Sequence, residues 1–372
     1  MRRHVISLGQ VLGIPLGLDY SWFLIFALVT WTLATSYFPA EFGNWPQAEY
    51  WVVGALTSAM LFASVVFHEL GHSVIARRYK VVVRRITLFI FGGVAEIANE
   101  PPSAKAEFWI AIAGPLVSFT LAGIFTLATP LAAGAQPVLA LAKYLAYING
   151  TLGLFNLIPG FPLDGGRVFR AIVWVVTKSL RRATLIAANV GRFIAFGFIL
   201  VGVWMIFAGN LIDGLWIAFI GWFLESAAVS QLQQVTVSQL LSGHHVKEAM
   251  SSDFVAIPEG ATLESLVEDH VLARGKRSFV VMHADRPVGL LTLHQIRAIP
   301  RDRWASTSVG TQMIALDDAR VASPEMEITE ALKEMDRDGV NQLPVMEDSR
   351  VVGTLSRESV ITYLRNLQEL GM

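Results

Sequence analysis

No cysteine occurs among the 372 residues of this chain. Disulfides are therefore excluded, and a bound metal ion has to be held by histidine, aspartate or glutamate. Charge is the second shortage. Only 16% of residues are Asp, Glu, Lys or Arg, whereas soluble domains carry about 25%. Net charge is also missing, at −1, which gives no field to attract nucleic acid or an acidic partner. The N-terminal MRRHVISLGQVLGIPLGLDYSW has no apolar core followed by a small-residue cleavage site, so no signal peptide is expected. The shortage of charge is uneven. From about Lys247 onward acids, bases and apolar residues mix as in a soluble domain. Two parts are expected, a membrane-embedded 1–237 and a soluble 238–372, joined near Ser238–His245.

Long apolar runs fill the first part. A spanning helix needs about 20 such residues, and six candidates meet that length: Leu18–Phe38, Trp51–Ile75, Ala106–Leu131, Pro137–Leu157, Asn189–Ala208 and Leu211–Ser230. Basic residues fall on alternate sides. Arg2 and Arg3 precede the first run, and Arg77, Arg78, Lys80, Arg84 and Arg85 follow the second. Lys105 precedes the third, and Arg167, Arg170, Lys178, Arg181 and Arg182 follow the fourth. The intervening loops PAEFGNWPQAE, LAAGAQ and GNLID contain no Lys or Arg. This asymmetry predicts a multi-pass protein of the cell membrane with both termini in the cytoplasm. Two segments break the helical pattern. VVVRRITLFIFGGVAEI (Val81–Ile97) is β-branched and aromatic around Gly92-Gly93, which predicts two strands and a turn. NLIPGFPLDGGRVFRA (Asn156–Ala171) interrupts the end of the fourth run with proline and glycine, as broken helices around membrane sites do.

Inside the second run lies His68-Glu69-Leu70-Gly71-His72. On a helix the two histidines, four residues apart, share one face and can bind one ion, with Glu69 beside it. The alternative, two core histidines bonded to neighbouring carbonyls, leaves a glutamate unpartnered inside a span. A catalytic zinc site takes three protein ligands and keeps one open position. Asp164, near the inner end of the fourth run, matches the depth of His72 and is the best third ligand; it also suits an N-cap for a helix beginning near Arg167. Asp19 and Glu225 are weaker candidates, one at a span entrance and one near the end of the last span. Together, HELGH and NLIPGFPLDGG resemble the site-2 protease family of intramembrane zinc metalloproteases. The resemblance covers the whole membrane part. It implies one zinc ion per chain held by His68, His72 and Asp164, and Glu69 as general base and acid. It further implies Asn156 as a substrate contact, against the simpler reading of a helix-terminal residue bonding local backbone. The substrate it implies is a single-span membrane protein such as an anti-sigma factor. The extended segment Ile86–Ile97, with Gly92, Gly93 and Val94, offers a strand edge that could hold an unfolded substrate backbone.

The soluble part repeats itself. VKEAM, GKRSFVVM and PVGLLTLHQI return about 64 residues later as VGTQM, GVNQLPVM and VVGTLSRESV, so units of about 246–300 and 309–366 are expected, each a helix, two strands and a helix. The pair resembles tandem cystathionine-β-synthase (CBS) domains, α+β modules that regulate, dimerise and often bind adenine nucleotides. That resemblance places a ligand near Thr292 and Ser356. The ribose-binding Asp of the family is replaced by Gln295 and Ser359, so a dimerisation module without ligand stands as an equal alternative to nucleotide binding. The expected fold is thus a six-span α-helical membrane protein with a β segment, joined to an α+β CBS pair. A CBS-gated transporter or channel is the rival. It would place ionisable groups along a path across the membrane, whereas here they cluster at one depth.

Overall fold

The computed structural model describes residues 5–97, 100–132, 134–284, 286–316, 320–338, 340–348 and 350–370. Arg2 and Arg3 of the charge asymmetry, and Gly339 at the head of a repeat match, lie outside them. The chain forms two compact units, Met1–Gln233 and Gln234–Met372.

Unit one opens with two strands that sequence reading did not anticipate, β1 (Val5–Val11) and β2 (Ile14–Asp19). Leu12 and Gly13, both at positive φ, make the two-residue turn that the twist of a hairpin favours. Arg77 closes on that turn, its guanidinium donating to the Leu12 carbonyl. The first span follows as α1 (Ser21–Thr32), a π turn over Leu33–Tyr37 and the short α2 (Phe38–Glu41). Next comes α3 (Gln47–Arg78), whose last turn carries Arg77 and Arg78 at the negative end of the helix dipole. Strands β3 (Val83–Phe89) and β4 (Gly92–Ile97) fall where the β-branched run predicts them. They join the N-terminal hairpin in one sheet of order β1-β2-β3-β4, in which β2 and β3 are parallel and the other pairs antiparallel. The register Leu16↔Ile86 and Leu18↔Leu88 sends Ile14 and Ile86 onto Leu70 of α3, and Leu18 and Leu88 onto Phe62. The sheet therefore packs on the helix that carries the HELGH sequence, with β4 as an edge strand among the described residues.

The remaining helices are α4 (Ala104–Ala128), α5 (Gln136–Asn156), α6 (Asp164–Thr177), α7 (Leu180–Phe207) and α8 (Leu211–Leu241). Ser103 caps α4 by accepting from Ala106 N–H at 3.2 Å, and Ser179 caps α7 by accepting from Arg182 N–H at 3.3 Å. Among the described residues six helices are long and apolar enough to span: Ser21–Glu41, Gln47–Arg78, Ala104–Ala128, Gln136–Asn156, Leu180–Phe207 and Leu211–Gln233. The fifth begins nine residues before the expected Asn189, so Arg181 and Arg182 lie in its first turn rather than in a loop. Between the fourth and fifth, α6 has 14 residues, too short to cross a bilayer. Asp164 opens this helix, eight residues beyond the end of the fourth span rather than on it.

Unit two contains α9 (Val246–Ala249), β5 (Val255–Pro258), α10 (Leu263–Leu266) with a π turn over Val267–Leu272, β6 (Ser278–His283), β7 (Arg286–Thr292) and α11 (Leu293–Arg297). A 3-10 turn over Arg301–Ser306 leads to α12 (Val309–Gln312), β8 (Ile314–Ala315), α13 (Ile328–Asp338), β9 (Gln342–Glu347), β10 (Arg350–Ser356) and α14 (Arg357–Leu370). Each repeat has more elements than the four expected. The two also exchange ends. Val246 and Ala249, at the head of the first repeat, are buried in the core formed by Ile328, Leu343, Val345 and Leu355 of the second. Val309, at the head of the second, is buried with Leu263, Phe279 and Leu291 of the first. Neither sequence repeat therefore has a complete core by itself.

Candidate metal centre

His68 and His72 are four residues apart on α3, and both rings turn toward α4 and the start of α6. Their exposures are 4% and 3%. The His72 Nδ1 lies 2.6 Å from the Ile110 carbonyl. A carbonyl can only accept, so Nδ1 carries the ring proton and Nε2 presents a lone pair. His68 Nδ1 lies 2.9 Å from Ser118 Oγ, which can accept in the same way. Both Nε2 atoms then face Asp164 Oδ2, each at 3.1 Å, and lie 3.2 Å from each other. Three electron-pair donors with no hydrogen to share repel one another unless a cation sits among them. Ligands about 2.0–2.1 Å from a tetrahedral zinc ion lie about 3.3 Å apart. The observed triangle has nearly that edge, and the neutral imidazoles and carboxylate suit the metal. His68, His72 and Asp164 are the cluster of potential metal ligands among the described residues.

Helix α4 supplies the back wall. Ile110 and Ser118 hold the two rings, and Gly114 between them lets the imidazoles approach. A Cβ at Gly114 would fall on His72 Nε2 and lie 2.6 Å from His68 Nε2. Glu69, next to His68 on the helix, faces a cavity of about 450 Å³ that also takes in His68, His72 and Asp164. The cavity is walled by β4 through Gly92, Gly93 and Val94, and by Asn156 at the end of α5. β4 runs so close to Glu69 that a Cβ on Gly93 would sit 2.7 Å from Glu69 Cγ.

The structure thus brings His68, His72 and Asp164 together with Glu69 beside them, and puts Gly92, Gly93, Val94 and Asn156 on the same cavity. Asn156 also makes the local contact of the simpler reading, its Nδ2 donating to the Leu152 carbonyl at 3.1 Å. The competing carboxylates are used elsewhere. Asp19 accepts from Ser21 N–H at 2.9 Å and Ser21 Oγ at 2.6 Å, while Glu225 lies 3.6 Å from Arg192 Nε. Asp164 does not act as an N-cap: α6 starts at Asp164, and the capping position belongs to Leu163. Thr292 and Ser356 stand at helix starts in the second unit. Gln295 folds back onto the Thr292 hydroxyl and accepts from its backbone N–H at 2.9 Å. Ser356 and Ser359 bond each other's backbone N–H at 3.1 and 3.0 Å.

Sequence reading missed several cavity residues. Arg167, one turn after Asp164, lines it and was foreseeable from the i, i+3 spacing. Phe91, at the β3–β4 turn, stacks on Phe223 of α8 at 4.5 Å, so the last span closes one side; no local signal links two phenylalanines so far apart. Ile110, Gly114 and Ser118 do form a visible i, i+4, i+8 row.

Residues 56–136 and 128–198 match peptidase family M50, and residues 246–301 and 313–366 match the CBS domain. A Mycobacterium tuberculosis protein named as zinc metalloprotease Rip3 is 38% identical, over 96% of this chain and 92% of its own. Zinc metalloprotease MJ0392 of Methanocaldococcus jannaschii is 28% identical, over 98% of each chain. A solved structure, the site-2 protease from Methanocaldococcus jannaschii, is 31% identical, covering 61% of this chain and 95% of that one, with a TM-score of 0.42. Identity of 38% running through nearly the full length of both chains, with the HELGH helix and the Asp164 helix converging on one cavity, places this chain in the peptidase M50 (site-2 protease) family of membrane-embedded zinc metalloendopeptidases, carrying a tandem CBS pair.

Proposed function

We propose that this enzyme hydrolyses a peptide bond in or near the transmembrane segment of a single-span regulatory protein, of which a membrane-bound anti-sigma factor is the type. His68, His72 and Asp164 would hold one zinc ion per chain, and the observation that carries the reading is their 3.1–3.2 Å triangle of lone pairs beside Glu69. Zinc held there would supply a Lewis acid, the chemistry that makes a water acidic near neutral pH. Glu69, on the same cavity, is placed to take a proton from the attacking water and return it to the nitrogen of the leaving amine. Ile110 and Ser118 keep the ring protons on Nδ1, so the Nε2 atoms stay available.

A helical substrate hides its carbonyls in i→i−4 bonds and must unwind before attack. The edge strand β4 meets this need. An added strand along Gly92–Ile97 satisfies the exposed substrate backbone and passes beside Glu69 at the close approach of Gly93. The Asn156 amide, on the facing wall, supplies a donor to the substrate chain. The charge asymmetry supports both termini in the cytoplasm and the site toward the cytoplasmic face of the cell membrane. The CBS pair modulates turnover and pairs two chains as a homodimer. An adenine nucleotide near Thr292 or Ser356 would have to displace the Gln295 and Ser359 contacts, so dimerisation without nucleotide is the favoured role. The experiment is reconstitution in liposomes with a labelled single-span substrate and mass spectrometry of the fragments. Cleavage inside the span or within a turn of its end is expected; cleavage confined to the soluble tails contradicts the proposal.

A further inference from the structure

Arg170 is 4% exposed and Glu107 is fully buried. Arg170 Nε donates to Glu107 Oε1 at 2.5 Å, and its Nη2 bonds the same oxygen and lies 3.4 Å from Glu100 Oε2. Nη1 lies 3.4 Å from Thr184 Oγ1 on α7, and the guanidinium covers the Phe161 ring at 5.3 Å. One side chain therefore ties together α4, α6, α7 and the loop that leads into Asp164. Such a buried pair is not needed for stability, since well-packed apolar residues often serve as well or better. Its placement suggests another role.

Glu107, Ile110, Gly114 and Ser118 lie on one face of α4 at helical spacing. The last three are the contacts that fix His72 and His68, so Glu107 is the lowest rung of the wall behind the metal ligands. Arg170 follows Asp164 by six residues, about 9 Å along α6; Glu107 precedes Gly114 by seven, about 10.5 Å along α4. The two helices are thus pinned at matched heights, by the ion pair at one end and at the donor triangle at the other. We infer that the Arg170–Glu107 pair is a positioning device that sets the height of Asp164 against the two histidines. It rests on the assignment of Asp164 as a metal ligand and adds the two residues that hold it in register. Neither touches substrate or metal.

The test measures zinc affinity by chelator competition, and ligand geometry by the visible absorption of the cobalt(II)-substituted full chain. Arg170→Met and Glu107→Gln should bind zinc about 10–100-fold more weakly than wild type, the range for losing a partner that orients a ligand. Their cobalt spectra should shift. The double variant Glu107→Leu/Arg170→Met separates positioning from stability. It should regain wild-type thermal stability yet keep the weak zinc binding and the shifted spectrum. Arg170→Lys keeps the charge without the guanidinium fork and should recover part of the affinity. Wild-type zinc affinity in the double variant, with an unchanged cobalt spectrum, overturns the inference. If Arg170→Met does not fold, the same two results in Arg170→Lys overturn it. Asp164→Ala, measured alongside, keeps the two questions apart. Zinc retained there removes the ligand assignment itself; zinc lost there but held by the Arg170 variants removes only the positioning role.

Discussion

A methyl group on Gly114 would fall on His72 Nε2 and 2.6 Å from His68 Nε2, in the space where three donors converge. Gly114→Ala should therefore lose zinc although no ligand is changed, and zinc per chain after dialysis checks this. A fully loaded Gly114→Ala protein would show that the rings retreat without cost. The donor triangle was legible in the sequence because the chemistry dictates the spacing: two histidines on one helical face and, without cysteine, few carboxylates at matching depth. Arg170 was not. It counts among the basic residues that orient the chain, yet it is buried against Glu107, 63 residues away. Each looks like an ordinary flanking charge when read alone. Arg167 lies between these cases: its spacing from Asp164 is visible, but its place on the cavity depends on how α6 packs.

Among elements, β4 carries the proposed substrate contact. Val94 pairs with Thr87 of β3 and lines the cavity. Proline at this position removes one backbone donor from the strand. Val94→Pro should slow cleavage at least tenfold while zinc content stays at the wild-type level; normal turnover would exclude strand addition. β3 and β4 were readable from β-branched residues around Gly92-Gly93. β1 and β2 were not, because glycines at 9, 13 and 17 dilute their strand signal and β2 finds its partner about 70 residues later. In unit two, α9 and α14 meet through Glu248. Bonds from His244, from the His245 backbone and from Tyr363 lower its pKa from 4.5 to about 2. A carboxyl whose folded pKa lies below its unfolded one stabilises above the unfolded value, and that stabilisation is lost as pH falls through the folded one. The unit should therefore lose stability between about pH 4.5 and 2. Glu248→Gln should flatten acid unfolding, followed by far-UV circular dichroism, over that window. An unchanged profile would remove the cluster from the stability of the unit.

For the whole molecule, the repeat showed that two CBS units exist but not how they are built. Similar sequences identify equivalent segments without saying which copy closes which core, and here Val246 and Val309 each complete the other repeat. The same interlocking means that the pair should unfold as one unit, in a single calorimetric transition. Cutting at the repeat boundary near 300 should destabilise both halves. A transporter reading finds no support in the site, where His68, Glu69, His72 and Asp164 share one cavity instead of marking a path across the bilayer. The central claim is that this cavity is a zinc protease site in which Glu69 moves protons and does not ligate. Its most direct test compares wild type with Glu69→Gln in liposomes containing a single-span substrate, measuring zinc per chain and cleavage on the same samples. The account predicts one zinc per chain in both proteins and cleavage by wild type alone. Cleavage by zinc-loaded Glu69→Gln at the wild-type rate would contradict it.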